Sequence, residues 1–261
     1  MEISVPTVAE LTARGERPDV LFWVGCAGSY DERYKRVTHA FVKILSAAGI
    51  RFAVLGPEET CTGDPARRAG NEFLFQMQAL ANIQVLNGYG IQKIVTACPH
   101  CFNTLKNEYP DLGGNYQVVH HTGFLQQLLS EGKITIEGGS FTGQKITYHD
   151  SCYLGRANNI YEAPRELLRA LDADLVEMKR CKTTGLCCGA GGAQMFKEPE
   201  KGNKDINIER TEEALQTGAR TIAVACPFCL TMMTDGVKNK EKEAEVKVRD
   251  LAELIAEAKG L

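Results

Sequence analysis

The sequence predicts an α/β protein of two pseudo-symmetric, doubly wound domains with parallel sheets, produced by internal duplication. Three observations carry this. Short apolar runs alternate with helical patterns along the chain; the second half repeats the first; and the cysteines recur where those runs end. Alternation of this kind marks βαβ units, and strands buried on both faces read as nearly continuous apolar segments. The architecture is Rossmann-like in this sense.

Taken in order, β-branched and aromatic runs predict strands at "DVLFWVGC", "RFAVLG", "KIVTACP" and "YQVVHH", then at "KITYHDSC", "DLVEM", "TIAVACP" and "EVKVRD". Helical periodicity fills the intervals, as in "RYKRVTHAFVKILSAAG". Pro99 and Pro227 each suit the first position of a helix, where a missing N–H costs nothing. Cys98 and Cys101 then fall at the cap and third positions of one helix start, and Cys226 and Cys229 repeat the arrangement. The Gly-rich, polar stretch "SEGKITIEGGSFTGQK" joins the halves, with domains expected over residues 1–137 and 138–261 and the boundary at Gly138. The charged piece "VKNKEKEAE" reads as a solvated loop before the last strand.

The duplication is visible residue by residue. Cys26 is followed by Cys61 after 35 positions, and Cys152 by Cys187 after the same interval. "CTG" at 61–63 matches "CCG" at 187–189, and "IVTACPHC" ending at Cys101 matches "IAVACPFC" ending at Cys229. Nine of the ten cysteines fall on this grid. Free cysteine also packs as a small hydrophobe, but these lie beside Gly and Pro at segment ends and not in mid-segment.

At 261 residues the chain needs no covalent staples, since a protein of this size buries roughly 70–75% of its unfolded surface. The N-terminal segment lacks the apolar core of a signal peptide, so a reducing cytoplasm is expected, where repeated cysteine spacing means metal binding or redox catalysis. Net charge is −3 and no basic stripe is present, which argues against nucleic acid as a partner. The apolar stretch from Phe41 to Leu55 is broken by Lys43 and Arg51, so no direct membrane span is expected.

Each Cys-Pro-X-Cys could be a reducible dithiol or part of a larger site. The remaining gridded cysteines decide, because a dithiol leaves them without a role. The first copy offers Cys26, Cys61, Cys98 and Cys101, enough for one tetrahedral zinc. The second offers Cys152, Cys187, Cys188, Cys226 and Cys229, one more than zinc takes; a multinuclear iron–sulfur cluster uses five better. Gly189, Gly191 and Gly192 would let backbone approach the sulfides, and Gly63 holds the corresponding place in the first copy. Cys181 lies off the grid, read either as a packed spare thiol or as a redox partner for substrate sulfur. His149 could hydrogen-bond a cluster or simply end a strand; His120 and His121 receive the structural reading. No G-x-G-x-x-G or P-loop sequence accompanies the cysteines, so electrons must come from another protein.

The doubled pattern Cys, Cys-Cys-Gly, Cys-X-X-Cys resembles the cysteine-rich CCG-domain family, over essentially the whole chain after residue 19. "FWVGCAGSYDERYK", "CTGDPARRAGNEFLFQ", "ACPHCFNTLKNEYP", "HDSCYLGR" and "CCGAGGAQM" look most like its electron-transferring-flavoprotein:quinone branch; heterodisulfide reductase catalytic subunits and glycolate or lactate oxidation iron–sulfur subunits are relatives. The resemblance implies an open, non-cuboidal 4Fe-4S-type cluster on the five second-copy cysteines. In the first copy Thr62 replaces the second cysteine of the pair, leaving a cubane, a linear cluster, zinc or an empty site open. It also implies a ferredoxin-like, membrane-anchored partner chain, electron-transferring flavoprotein as a further partner, and a position peripheral to the inner membrane through that partner. Three functions follow as expectations: an electron-transfer subunit of an oxidoreductase, a chain that itself reduces a disulfide or other two-electron substrate, or a zinc-stapled scaffold.

Overall fold

The computed structural model describes residues 4–136, 139–198 and 201–261. The chain divides into two compact units between Ile134 and Thr135. The expected boundary residue, Gly138, lies outside the described residues.

The first unit runs α1 (Val8–Ala13), β1 (Val20–Trp23), α2 (Gly25–Tyr30), α3 (Glu32–Ala47), β2 (Phe52–Ala53), α4 (Asp64–Arg68), α5 (Glu72–Gly88), β3 (Lys93–Thr96), α6 (Pro99–Asn103), β4 (Gln117–His120) and α7 (His121–Ser130). The second contains β5 (Lys145–Tyr148), α8 (Glu162–Ala170), β6 (Asp174–Leu175), α9 (Ile206–Leu215), β7 (Thr221–Val224), α10 (Pro227–Asn239), β8 (Lys247–Asp250) and α11 (Leu251–Ala258). All eight strand segments expected from the sequence are present.

Each unit holds one four-stranded parallel sheet, ordered β2-β1-β3-β4 and β6-β5-β7-β8. The two orders are the same permutation, so the duplication seen in the cysteines extends to topology. The central strands are apolar because both faces are covered: every residue of β1 is buried, as are the last three residues of β3, β5 and β7. The chain leaves β1 for β2 on one side and returns to β3 on the other, and β5 and β7 repeat this reversal. Such a switch point opens a crevice at the carboxyl ends of the two central strands.

Helix starts at this edge are set locally. Asp31 accepts the Tyr34 N–H at 2.7 Å to cap α3, and Asn71 accepts the Leu74 N–H at 3.0 Å to cap α5. Cys98 and Cys226 are the residues preceding α6 and α10, with Pro99 and Pro227 at the first helical position. One sequence expectation needs correction. α10 extends through Val237, Lys238 and Asn239, the first residues of the segment read as loop. Its buried face continues over Cys229, Leu230, Met233, Gly236 and Val237, a helical spacing that outweighs the charge of the segment.

Candidate metal centre

In the first unit Cys26 lies in the first turn of α2, immediately after β1, and is exposed; Cys98 and Cys101 are buried at the start of α6, and Cys61 is half-buried in the loop before α4. Four sulfurs from three segments of sequence converge there. Cys26 and Cys61 act on each other's ionisation, Cys98 acts on that of Cys101, and the thiolate of Cys26 acts electrostatically on both Cys61 and Cys101. The neighbouring Cys61 thiol, with help from backbone N–H groups and the nearby His100, pulls Cys26 down to about 6; the Cys26 thiol and burial push Cys61 up. Cys26 is therefore the member of the Cys26–Cys61 pair that ionises first. In metal-free protein iodoacetamide should modify Cys26 first, and the rate should fall as pH drops through about 6. Mass mapping of the labelled site checks this; first labelling at Cys61 would contradict it.

The loop carrying Cys61 is held from several directions. The Asn82 side chain donates to the Cys61 carbonyl at 3.0 Å, the Tyr109 hydroxyl donates to the Thr62 carbonyl at 3.2 Å, and Glu59 accepts the N–H groups of Val24 and Gly25. Burial raises the Glu59 carboxyl to about 7. The Gly63 N–H donates to Cys61 Sγ at 3.4 Å. Gly63 has φ +88, and a Cβ there would meet Phe75 at 2.8 Å, so glycine is required by both conformation and space.

The second unit repeats this construction with one more sulfur. Cys152 follows β5, Cys187 and Cys188 occupy the loop, and Cys226 and Cys229 open α10. Each of the five thiols shifts the ionisation of a neighbour in the set, Cys152 with Cys187, Cys187 with Cys188, Cys188 with Cys229 and Cys229 with Cys226. The Cys229 Sγ to Cys188 Sγ distance is 3.4 Å. Gly189, at φ +92, donates its N–H to Cys187 Sγ at 3.3 Å, as Gly63 does to Cys61 in the first unit. Cys187 is pulled well below the usual thiol range by the neighbouring Cys152 and Cys188 thiols and the Gly189 N–H, while Cys152 and Cys188 are pushed up. Gly191 and Gly192 lie further along this loop, and a Cβ at either would meet no protein atom within 4 Å.

Thr62 takes the place that Cys188 holds. Its hydroxyl donates to Cys101 Sγ at 3.9 Å, where Cys188 meets Cys229 at 3.4 Å. The first unit thus retains the packing of the pair but offers four sulfurs.

Two buried ionic groups that sequence reasoning missed support the second set. Arg165 grips Asp150 with both terminal nitrogens, at 2.8 and 2.9 Å, and also pairs with Glu177. Asp150 in turn accepts the Lys182 N–H at 2.7 Å, tying the turn at Cys152 to the segment that leads to Cys187. Arg210 of α9 donates from Nε to His149 Nδ1 at 3.0 Å and pairs with Glu213. Burial and the Arg210 charge press His149 down to about 3. A partial signal existed: Ile206, Arg210, Glu213 and Ala214 fall at helical spacing, so an Arg–Glu pair shares a face with apolar residues. Cys181 is half-buried, and the charges acting on it belong to Glu177, Arg165, Asp150 and Lys182. His120 and His121 are buried and contact each other, at 3.3 Å between ring nitrogens.

The donor chemistry fits a sulfur-bridged metal centre. Five thiols in one connected group exceed the four of a tetrahedral zinc site, and the buried His149 Nε2 beside them has no hydrogen-bond partner among the described residues. Among the described residues, no helix is long and apolar enough to cross a membrane.

Comparison with known proteins agrees. The family described as a cysteine-rich domain, CCG, matches residues 20–106 and 146–234, one match in each unit. A "Probable iron-sulfur-binding oxidoreductase FadF" of Bacillus subtilis is 47% identical over 258 residues, covering 98% of this chain and 36% of that protein. An "EtfAB:quinone oxidoreductase" of Syntrophomonas wolfei is 46% identical over 250 residues, covering 94% and 35% respectively. A dihydromethanophenazine:CoB--CoM heterodisulfide reductase component of Methanosarcina barkeri is 34% identical over 253 residues, covering 94% and 60%. The chain spans about a third of the length of the first two relatives. With its doubled fold, its paired cysteine sets and a family match over more than half its length, this chain belongs to the cysteine-rich CCG-domain family.

Proposed function

We propose that this chain is an iron–sulfur electron-transfer part of an oxidoreductase, passing electrons between a flavoprotein or ferredoxin-like partner and a quinone or disulfide-type acceptor. The observation that carries the reading is the grouping of Cys152, Cys187, Cys188, Cys226 and Cys229 after the central strands of one unit, each acting on a neighbour's ionisation and Cys229 meeting Cys188 at 3.4 Å. In this reading these five hold a non-cuboidal cluster, and Cys26, Cys61, Cys98 and Cys101 hold a cubane cluster or zinc. The clusters supply reversible electron storage. The chain's own residues do the rest: Gly63 and Gly189 direct N–H groups at sulfur, and burial of Cys98, Cys101, Cys188, Cys226 and Cys229 keeps bulk water from most of the ligands. The relatives' names support the redox class.

The direct test is anaerobic protein mixed with reduced electron-transferring flavoprotein. Bleaching of the cluster absorbance, with no disulfide consumed from an artificial donor alone, is expected. Disulfide turnover without any partner protein would transfer the role to direct catalysis, and zinc alone in both units would remove the redox reading.

Thr62 gives a second test. In a Cys188→Ala background, Thr62→Cys should add a fifth thiolate beside Cys101, changing the electron paramagnetic resonance spectrum of the first centre toward that of the wild-type second centre. An unchanged spectrum would count against equivalence of the two positions.

A further inference from the structure

His149 is the first residue after β5, three positions before Cys152, and it is fully buried. A ring nitrogen of His149 and the sulfurs of Cys188 and Cys229 all lie within 4.8 Å of one another. By distance alone the histidine could be taken for a sixth ligand. The hydrogen bond on its other side decides the matter. Arg210 Nε reaches His149 Nδ1 at 3.0 Å, and a guanidinium N–H can only donate. His149 Nδ1 therefore accepts, and the neutral ring carries its hydrogen on Nε2. A nitrogen that carries hydrogen has no lone pair for a metal. A ring protonated on both nitrogens is excluded by the same contact, since two N–H groups would then face each other.

Arg210 is itself fixed. Its Nη1 donates to the Arg180 carbonyl at 2.7 Å and to Glu213 at 2.9 Å, and Glu213 also receives the Arg180 backbone N–H. The carboxylate of Glu213 thus anchors a line running from α9 through Arg210 to the imidazole. At the end of that line, His149 Nε2 is buried and has no partner among the described residues. A buried donor left unpaired is costly, about 1–3 kcal/mol, and such groups mark sites where a further acceptor belongs. The first unit provides a parallel. Trp23, three positions before Cys26, is likewise fully buried with its Nε1–H unpaired among the described residues.

Building on the cluster assignment above, we propose that His149 is a hydrogen-bond donor to the second centre and not a ligand of it, its Nε2–H held toward the sulfurs beside Cys188 and Cys229 by Arg210. Reduction increases negative charge on those sulfurs, so a donor there stabilises the reduced form and raises the reduction potential. Arg210 acts through the imidazole and is a positioning residue.

The test begins with anaerobic protein on which iron and sulfide have been counted, so that absence of a cluster, which sinks the cluster assignment, is separated from failure of this one. Redox titration monitored by electron paramagnetic resonance should place the second centre of His149→Leu at a lower potential than wild type. His149→Gln, which can keep an N–H at similar reach, should recover most of the difference. The same potential in His149→Leu with full iron content would overturn the proposal. Should either variant fail to assemble, the wild-type protein decides. With 15N-labelled histidine, pulsed spectroscopy of the reduced second centre should show a weakly coupled histidine nitrogen and a coupled proton that exchanges in D2O. Strong coupling from a directly bonded nitrogen, or no histidine coupling at all, would contradict the assignment.

Discussion

Cys188→Ala is expected to strip or remodel the second centre while leaving the first intact. Cys188 is the middle member of the five-thiol run, meeting Cys187 on one side and Cys229, at 3.4 Å, on the other. Its removal breaks the group into Cys152–Cys187 and Cys226–Cys229 pairs. The remaining four thiols have the count of the first unit, but Ala lacks even the hydroxyl with which Thr62 approaches Cys101. Iron and sulfide per chain should fall, and the spectrum assigned to the second centre should vanish or change form. The first four cysteines belong to a separate compact unit and should keep their metal. Unchanged iron content and spectrum in this variant would show that Cys188 is not a ligand.

A comparably large effect is expected on stability. In Arg165→Met the carboxylate of Asp150 loses its bidentate partner where the side chains are only 1% and 5% exposed. Breaking a buried pair from one side typically costs about 3–5 kcal/mol, because the surviving charge is left uncompensated. Glu177 also loses its partner, but it is a third exposed and water compensates much of that loss. Urea denaturation should show a lower midpoint with a similar slope. Adding Asp150→Asn should recover part of the loss, since no unpaired charge then remains buried. Iron occupancy at the second centre should fall in step, because Asp150 joins the turn at Cys152 to the segment leading to Cys187 through the Lys182 N–H. Wild-type stability in Arg165→Met would remove this buried pair from the account.

The sheets were legible because parallel strands buried on both faces leave an unambiguous record. "IVTACP" and "IAVACP" each combine an apolar run, a cysteine at the carboxyl edge and a proline that starts the next helix. Even β2 and β6, two residues each, were visible through their neighbours. The grouping of the candidate cysteines was legible for a related reason: duplication preserved spacing, so each half served as a control for the other. Thr62 stood out as the one grid position without a cysteine, although its hydroxyl contact with Cys101 depends on tertiary placement.

What the sequence concealed is the shell behind the thiols. Arg165 and Arg210 occupy helices α8 and α9, where an arginine ordinarily reads as a solvent-facing residue. Their partners, Asp150, Glu177 and His149, are distant in sequence or on another element, so no local period announces the pairing. Glu59 is similar: two residues before Cys61, it looked like part of a charged loop, yet its carboxylate accepts the Val24 and Gly25 N–H groups that form the turn before Cys26. His149 was visible as a candidate, but its tautomer depends on Arg210, sixty-one residues away.

The most direct measurement is X-ray absorption at the iron and zinc edges on protein purified without oxygen, combined with acid-labile sulfide counts. Several iron atoms per chain with matching sulfide, and iron–iron scattering that is reduced in Cys188→Ala, are the expected result. Zinc in a four-sulfur shell in both units, with no sulfide and no metal–metal scattering, would contradict it.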